Sequence, residues 1–565
     1  MSTPRRLPPR PRLRLPRGIG LAVLVLILLF FLPALIRLAV DQLWFDSLGY
    51  GRVFTTRLVA RLLLFAGVGS VAFALVYFNV RFAMRGFAPR PRIVDPATVA
   101  PAALAWVTRR IALPAALVVG IFTGLAAMAG WLGVLRFLHQ QPFGAVDPVF
   151  GRDVAWYVFT VPLVTSVLRV LTVLTTISLI AAVLIYALRR DVSLLARHVT
   201  VEAPARWHLA ALVAALFLLT ALRIQFVRLP GLLHTPSGTL TGATYANLHG
   251  TLFGLRLAAF AALAGAVFVL WKARGPGLGR AVFAALGAYL GVSILAANVY
   301  PSLINRLVVA PNELAKETPQ LAHHIAATRR AWGLDSVVTR DLTGGAQLSE
   351  ADIHNNTATI DNIRLWDRDP LLQTFGQLQE IRTYYDFLSV DDDRYMIDGR
   401  YRQVLLSPRE LNPASLPTRT FINEHLTFTH GMGLTLGPVN QVTSEGLPVL
   451  FVKDLPPASS VSLKVTRPEI YFGEIGDSWV FANTKQQEFD YPSGDDNVYT
   501  SYQGSGGVPV ASWGRRLLFA TYFRSLKVLL SSDITNESRA MYFRNIRERA
   551  EKALPFLHFD RDPYL

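Results

Sequence analysis

Along the first 300 residues, apolar stretches of about twenty residues alternate with short polar loops; after Tyr300 the pattern breaks into short mixed runs. A hydrocarbon core about 30 Å thick is crossed by about 20 helical residues, each rising about 1.5 Å. Seven stretches have that length and contain no Asp or Glu: 19–40, 62–80, 111–131, 164–188, 207–227, 252–271 and 281–300. In lipid such segments form helices, because a helix satisfies its own backbone hydrogen bonds. Trp131, Trp207, Trp271 and Tyr300 stand at segment ends, where amphipathic rings favour the interface. Gly265, Gly287 and Gly291 suit close helix packing. The pattern predicts an α-helical membrane bundle of seven transmembrane helices followed by an α+β extracytoplasmic domain. The divisions are a basic tail over 1–18, the bundle over 19–300 and a globular region over 301–565.

The loops carry the orientation. Lys and Arg crowd the N-terminal tail and every second loop: Arg81 to Arg110, Arg189 to Arg206, and Lys272, Arg274 and Arg280. The alternate loops are poorer, with Arg52, Arg57 and Arg61, then Arg136 and Arg152, then Arg228. Basic loops stay cytoplasmic. The expectation is a multi-pass protein of the cell membrane, N-terminus cytoplasmic and C-terminal half outside. The first segment reads as a retained helix, since Asp41-Gln-Leu-Trp44-Phe45 follows it in place of a small-residue cleavage site.

Charge sharpens this picture. Residues 1–300 hold 29 Lys+Arg against 7 Asp+Glu, a balance of +22; the remaining 27 against 32 give −5. The basic excess therefore faces anionic lipid on the cytoplasmic side. It is not gathered on one soluble domain, so nucleic acid is not an expected partner. The chain has no cysteine, which excludes disulfides, thiolate metal sites and thiol catalysis.

In the second half, Thr318-Pro319 reads as a cap and first turn, with Leu321, Ile325, Thr328 and Trp332 following at helical spacing. Further helices are expected over 515–530 and 536–554. Strands are expected over 401–406, 460–465, 469–472 and 478–482, punctuated by turn residues such as Ser493-Gly494 and Gly504 to Gly507.

No motif here reaches a known chemistry, and no catalytic residue is assigned. Asp391-Asp392-Asp393 is followed by Met396 and Arg402 where a calcium loop needs Gly and Glu, so it reads as a solvated acidic turn. His425 and His430 are five apart on a strand-like run and would face opposite sides, against a shared metal. Gly504-Ser505-Gly506-Gly507 lacks the Lys-Ser/Thr of a phosphate loop. No cofactor or metal is implied.

The arginines inside the apolar half are the best candidates for binding. Arg37, Arg169, Arg223 and Arg256 fall in the outer third of their segments, and no carboxylate accompanies them there. Snorkelling to headgroups is their simplest use. An outward-facing site for an anion or anionic lipid is the sharper one, with Arg223 and Arg256 as its leading members. Docking of the acidic outer domain is a third use.

Several ordered stretches carry a resemblance: Leu43-Trp44-Phe45 to Tyr50, Pro311-Asn312-Glu313, Asn362-Ile363-Arg364-Leu365-Trp366-Asp367, Arg409-Glu410-Leu411-Asn412, Thr429-His430-Gly431, Pro438-Val439-Asn440, Tyr471-Phe472-Gly473-Glu474, Glu488-Phe489-Asp490-Tyr491-Pro492 and Asp562-Pro563-Tyr564. On these the chain resembles uncharacterised protein family 0182, large bacterial membrane proteins. The resemblance implies helices first and a long extracytoplasmic region after them. It brings no activity and no functional residues. It also implies further sequence beyond Asp562-Pro563-Tyr564, so that the outer region is incomplete.

Three functions compete, in this order. The first is a cell-envelope protein whose helices anchor an interaction domain for envelope partners. The second is lipid or anion handling at the outer leaflet through the arginines. The third is a hydrolase using carboxylates such as Asp367, Glu410, Glu474 or Asp490.

Overall fold

The computed structural model describes residues 17–85, 96–195, 198–237, 240–341, 347–476 and 478–564. The basic tail before Arg17, and Arg90, Arg92 and Arg197 of the basic loops, lie outside them. Among the described residues, six helical segments are long and apolar enough to cross a membrane: Gly51–Ala83, Arg110–Met128, Trp156–Leu188, Ala203–His234, Asn247–Lys272 and Leu278–Ala331. They correspond to the second to seventh apolar stretches, the third ending at Met128 and not at Trp131. The first stretch lies in a 31-residue helix, α1 (Arg17–Ser47), with Pro33 inside it. A mixed α/β region follows the apolar helices. By packing, the chain forms two compact units, Thr56–Leu342 and Met1–Thr55 with Thr343–Leu565. Packing thus groups α1 with the second half of the chain, where hydropathy groups it with the other apolar helices.

Most of α2 (Gly51–Ala83), then α3 (Pro96–Met128), α4 (Trp131–Leu138), α5 (Val161–Leu188), α6 (Ala203–Arg223), α7 (Leu252–Lys272), α8 (Leu278–Ile294) and α9 (Glu313–Ala331) make up the unit Thr56–Leu342. Helix α7 packs against both α6 and α8. Small residues permit this closeness, since fit between helices replaces the hydrophobic effect inside lipid. A Cβ on Gly254 would overlap the Ala296 carbonyl, and Gly265 lies under the Phe217 ring. Gly69, Gly120 and Gly124 bring α2 and α3 together in the same way. A polar tie crosses the core: the Tyr186 hydroxyl bonds His208 Nδ1 at 3.1 Å, and His208 Nε2 bonds Asn79 Oδ1 at 2.9 Å.

Five π-helical turns interrupt the α-helices of this unit: Trp156–Thr160, Ile224–Arg228, Asn247–Thr251, Leu295–Val299 and Asn305–Val309. Helix α9 begins at Glu313, so Thr318-Pro319 does not open a helix as expected; Pro319 sits inside one. The Thr318 hydroxyl donates back to the Leu314 carbonyl at 2.5 Å instead of capping a new turn. Buried Glu317 fixes α9 by accepting the Tyr245 amide at 2.9 and 3.0 Å.

The other unit is built on a five-stranded antiparallel meander. Its strands are β1 (Asp391–Ile397), β2 (Arg400–Pro408), β3 (Leu434–Pro438), β4 (Val452–Lys453) and β5 (Ala458–Ser459), in the order β5-β4-β3-β2-β1. Alternation divides its two faces. Val404, Leu406, Leu436 and Val452 pack on one face. Leu405 turns to the other and meets Leu371 and Phe375 of α10 (Arg368–Gln379). A hairpin of β6 (Glu488–Ser493) and β7 (Asp496–Thr500) adds a second core around Tyr384, Tyr385 and Phe489. Helices α11 (Trp513–Tyr522), α12 (Leu526–Leu530) and α13 (Ile546–Ala553) complete the unit.

Four local expectations change. Asp391-Asp392-Asp393 opens β1 rather than forming a solvated turn, and Asp391 is buried. Residues 460–465 form no ladder; Val461, Leu463 and Val465 alternate because they pack against the sheet's core. The 515–530 helix is two helices, α11 and α12, divided where Arg524 has φ of 55°. Over 536–554, strand Arg539–Met541 comes first and only α13 is helical. The Asn545 side chain caps α13 by accepting the Arg547 and Glu548 amides at 3.0 and 3.1 Å.

Helix α1 is held at the end of its apolar run. Tyr542 donates to the Val40 carbonyl at 3.0 Å, and Lys552 pairs with Asp41 at 2.9 Å. Trp44 is buried edge-on against Phe543, with ring centroids 5.3 Å apart.

Candidate anion-binding site

The loop between α4 and α5 is tightly tied by two carboxylates. Asp147 accepts the amides of Val149, Phe150 and Arg152 at 2.9, 2.6 and 2.9 Å, and the Tyr157 hydroxyl at 2.5 Å. Burial alone would raise this carboxyl; the hydrogen bonds from Phe150, Tyr157, Arg152 and Val149 outweigh it and hold the pKa below the ordinary value. Asp153 accepts the amides of Ala155, Phe143 and Gly144 at 2.8, 3.1 and 3.0 Å, which likewise depress its pKa. Two carboxylates thus fix the backbone that presents Phe150 and Arg152. The Arg152 guanidinium lies over the Trp156 ring, 4.5 Å from its centroid.

Trp156 begins the first π turn, and Gln225 and Phe226 belong to the second. These residues, with Phe150, Arg152, Leu229, Pro230 and Arg256, line one pocket. Arg256 stands in the first helical turns of α7, just after the π turn Asn247–Thr251. π turns widen a helix by one residue and recur at functional sites. The lining holds two guanidinium groups, one amide and otherwise apolar or aromatic surface, and no carboxylate. Neither arginine has an ion-pair partner among the described residues. Such a pocket suits a small oxyanion with an apolar neighbour.

Of the four arginines expected from the sequence, Arg256 alone lines this pocket. Arg169 is exposed on α5 and Arg223 is exposed at the end of α6. Arg37 is exposed on α1, in the other compact unit. Arg152, Trp156 and Gln225 were missed. Gly151-Arg152-Asp153, a charged pair after a glycine between two apolar stretches, was the available signal.

Several carboxylates and histidines of the second half are spent on structure. Glu410 is buried and accepts the Glu474 and Ile475 amides at 2.7 and 2.8 Å. His430 is fully buried, with Asp490 3.4 Å from Nε2 and Glu488 3.8 Å from Nδ1. Burial would lower its pKa, but these two carboxylates raise it above the usual value. Glu488 also accepts hydrogen bonds from Thr429 at 2.6 Å and Tyr471 at 2.7 Å. His425 stacks on Trp479, ring centroids 3.6 Å apart, and does not share the His430 environment. Asp367 is exposed at the start of α10. Glu474 differs: burial, then the neighbouring Glu410, pushes its pKa up to about 7. The glycine turn at 504–507 presents carbonyls rather than amides. Arg539 donates to those of Ser505, Gly506 and Gly507 at 2.5, 2.6 and 3.3 Å.

Comparison with known sequences places the chain in a family. The model of the uncharacterised protein family UPF0182 matches residues 18–565. A UPF0182 protein of Pelobacter propionicus is 41% identical over 573 residues, covering 97% of this chain and 62% of the relative. One from Geotalea uraniireducens is 41% identical over 556 residues, covering 96% and 61%. One from Pelotomaculum thermopropionicum is 39% identical over 547 residues, covering 94% and 59%. The chain spans about three fifths of the length of these curated relatives. No solved structure matches it. With a family model over nearly its whole length and relatives of about 40% identity, this chain belongs to UPF0182.

Proposed function

We propose that this is a multi-pass cell-membrane protein that holds an anionic group, the phosphate of a lipid headgroup or a free oxyanion, between Arg152 and Arg256. The observation that carries this reading is the meeting of two unpaired guanidinium groups in one pocket built from two π turns. It moves lipid or anion handling ahead of an envelope anchor, because two guanidinium groups in one otherwise apolar pocket match the chemistry of an oxyanion. It moves ahead of carboxylate hydrolysis too, because Glu410, Glu488 and Asp490 already serve backbone amides and His430.

In the proposed topology α1 makes a seventh crossing from a cytoplasmic N-terminus, and the region after the last helix is extracytoplasmic. The distribution of Lys and Arg supports this. The alternation of segments then gives the loop before Trp156, the turn after Arg223 and the start of α7 to the same, outer side. The pocket that joins all three agrees with that parity.

The test is native mass spectrometry of the protein purified with its own lipids, beside Arg152→Ala/Arg256→Ala. Retention of an anionic phospholipid by the parent and its loss from the variant identifies a headgroup ligand. Titration with inorganic phosphate after delipidation, with binding in the parent alone, identifies a free oxyanion. Equal behaviour of parent and variant in both arms overturns the reading.

A further inference from the structure

Helices α11 and α12 leave large apolar side chains without cover. Trp513 and Leu517, one helical turn apart on α11, are 65% and 40% exposed; Leu526 and Leu530, one turn apart on α12, are 73% and 78% exposed. Large apolar side chains scattered singly on a surface need no explanation, but four on one short helical pair do. The pair is held rigidly. Arg516 of α11 donates to the Val528 carbonyl at 2.9 Å and also to the Ser531 carbonyl, so α12 cannot fold its leucines inward. The link between the helices runs through Arg524 in the left-handed region, a conformation costly for a residue with a side chain.

The same unit contains a clue to what covers these residues. α11 packs against α1. Its Tyr522 lies within electrostatic reach of Arg37 and Asp41. Those positions bracket the end of the apolar run, above which Asp41 and Trp44 are buried in the domain and below which Phe30, Phe31 and Leu35 are exposed. An element gripping a helix at that level lies at the height of the lipid headgroups. The charges agree. A groove beside α12 carries Arg419, Arg524 and Lys527, with Phe421 and Trp479 between them. Among the described residues its one lining carboxylate, Glu424, is bound to Arg419 at 2.5 Å, and Asp533 lines a neighbouring pocket with Ser531. Exposed leucines with an interfacial tryptophan and flanking cations are the composition of a surface-lying helix.

We infer that α11 and α12 rest on the bilayer surface, with Leu526 and Leu530 entering the acyl boundary and Arg524 and Lys527 meeting anionic headgroups. The inference rests on insertion of α1, which belongs to the proposed topology, and not on the arginine pocket.

The chain has no cysteine, so single reporters are clean. Spin labels at Leu526→Cys, Leu530→Cys, Leu35→Cys and Met396→Cys would be placed in the full chain in nanodiscs. The discs would hold phosphatidylcholine alone or mixed with phosphatidylglycerol. All four positions are exposed, and a melting curve matching the parent certifies each variant. Access to oxygen against a water-soluble nickel complex reads depth. The expected result is lipid-like access at 35, intermediate depth at 526 and 530, and water at 396. Arg524→Glu/Lys527→Glu should make the 530 label shallower in the anionic discs and leave it unchanged in the neutral ones. Water-like access at 526 and 530 with lipid-like access at 35 overturns this inference alone. Water-like access at 35 overturns it together with the seventh crossing. Labels shielded from both oxygen and nickel would indicate a protein partner or a second copy and would also overturn it.

Discussion

Two pairs of arginines, one pair in each compact unit, are used in opposite ways. In the unit holding the second half of the chain, Arg409 and Arg544 are buried and their donors are consumed by the backbone. Arg409 donates to the Gln379 and Met432 carbonyls at 2.7 and 3.0 Å, and to the Gln379 side chain at 3.2 Å. Arg544 donates to the Tyr471 and Thr429 carbonyls at 2.7 and 2.6 Å. Burial lowers both to about 10, and they remain cations at neutral pH. In the unit of apolar helices, Arg152 and Arg256 line a pocket without a carboxylate. A guanidinium whose hydrogen bonds are filled by carbonyls is structural. One presented by a tied loop into open space is available to a ligand.

The sharpest way to break this contrast is to remove one arginine of each kind. Arg544→Met leaves the Tyr471 and Thr429 carbonyls and the nearby Glu410 and Glu488 without their cation. It should cost about 3–5 kcal/mol, read as a large fall in thermal or denaturant midpoint. Arg152→Ala, at an exposed position, should leave that midpoint within about 0.5 kcal/mol of the parent. Equal losses would collapse the distinction.

Binding should respond in the reverse sense. Loss of a charge-assisted hydrogen bond is worth about 1.5–3 kcal/mol, or about ten- to a hundredfold in affinity. Arg152→Ala/Arg256→Ala should lose anion binding by at least that factor with unchanged melting. Arg169→Ala/Arg223→Ala, whose side chains do not line the pocket, should retain it. Asp147→Asn weakens the hold on the loop and should cost less, a few-fold in affinity, because the Arg152 charge remains.

The smallest effect concerns pH. Glu474 has a folded pKa of about 7, raised from the ordinary carboxylate value by burial and then by Glu410. The fold therefore favours its protonated form. That contribution is complete below about pH 4.3, the unperturbed value, and is lost as pH rises through 7. Glu474→Gln should raise the midpoint at pH 8 by a few degrees and do little at pH 4. A slope will persist, because the raised pKa of His430 gives a loss in the same direction at higher pH. An unchanged pH profile would show that Glu474 titrates normally.

What the sequence made legible followed from physics that is local along the chain. Long apolar stretches free of Asp and Glu announced the six helices that, among the described residues, are long enough to span. Arg256 was legible because its place near a segment end is a matter of counting. Arg152 was not, since its importance depends on Asp147 and Asp153 folding a loop onto Trp156, which no periodicity records. The π turns were equally hidden: one extra residue in a turn leaves the apolar pattern nearly unchanged. His430, Glu488 and Asp490 meet only through pairing of distant segments, so the sequence showed three isolated polar residues. Thr318-Pro319 misled for a different reason. The threonine hydroxyl bonds backwards to Leu314, and the same residue pair that opens one helix is carried inside another.

The most direct test of the central claim is equilibrium binding of a spin-labelled phosphatidylglycerol and of inorganic phosphate to the parent and both double variants. The account predicts that at least one ligand binds the parent and Arg169→Ala/Arg223→Ala alike, and weakens about tenfold or more with Arg152→Ala/Arg256→Ala. Equal affinity in all three proteins, or a loss confined to Arg169→Ala/Arg223→Ala, would contradict it.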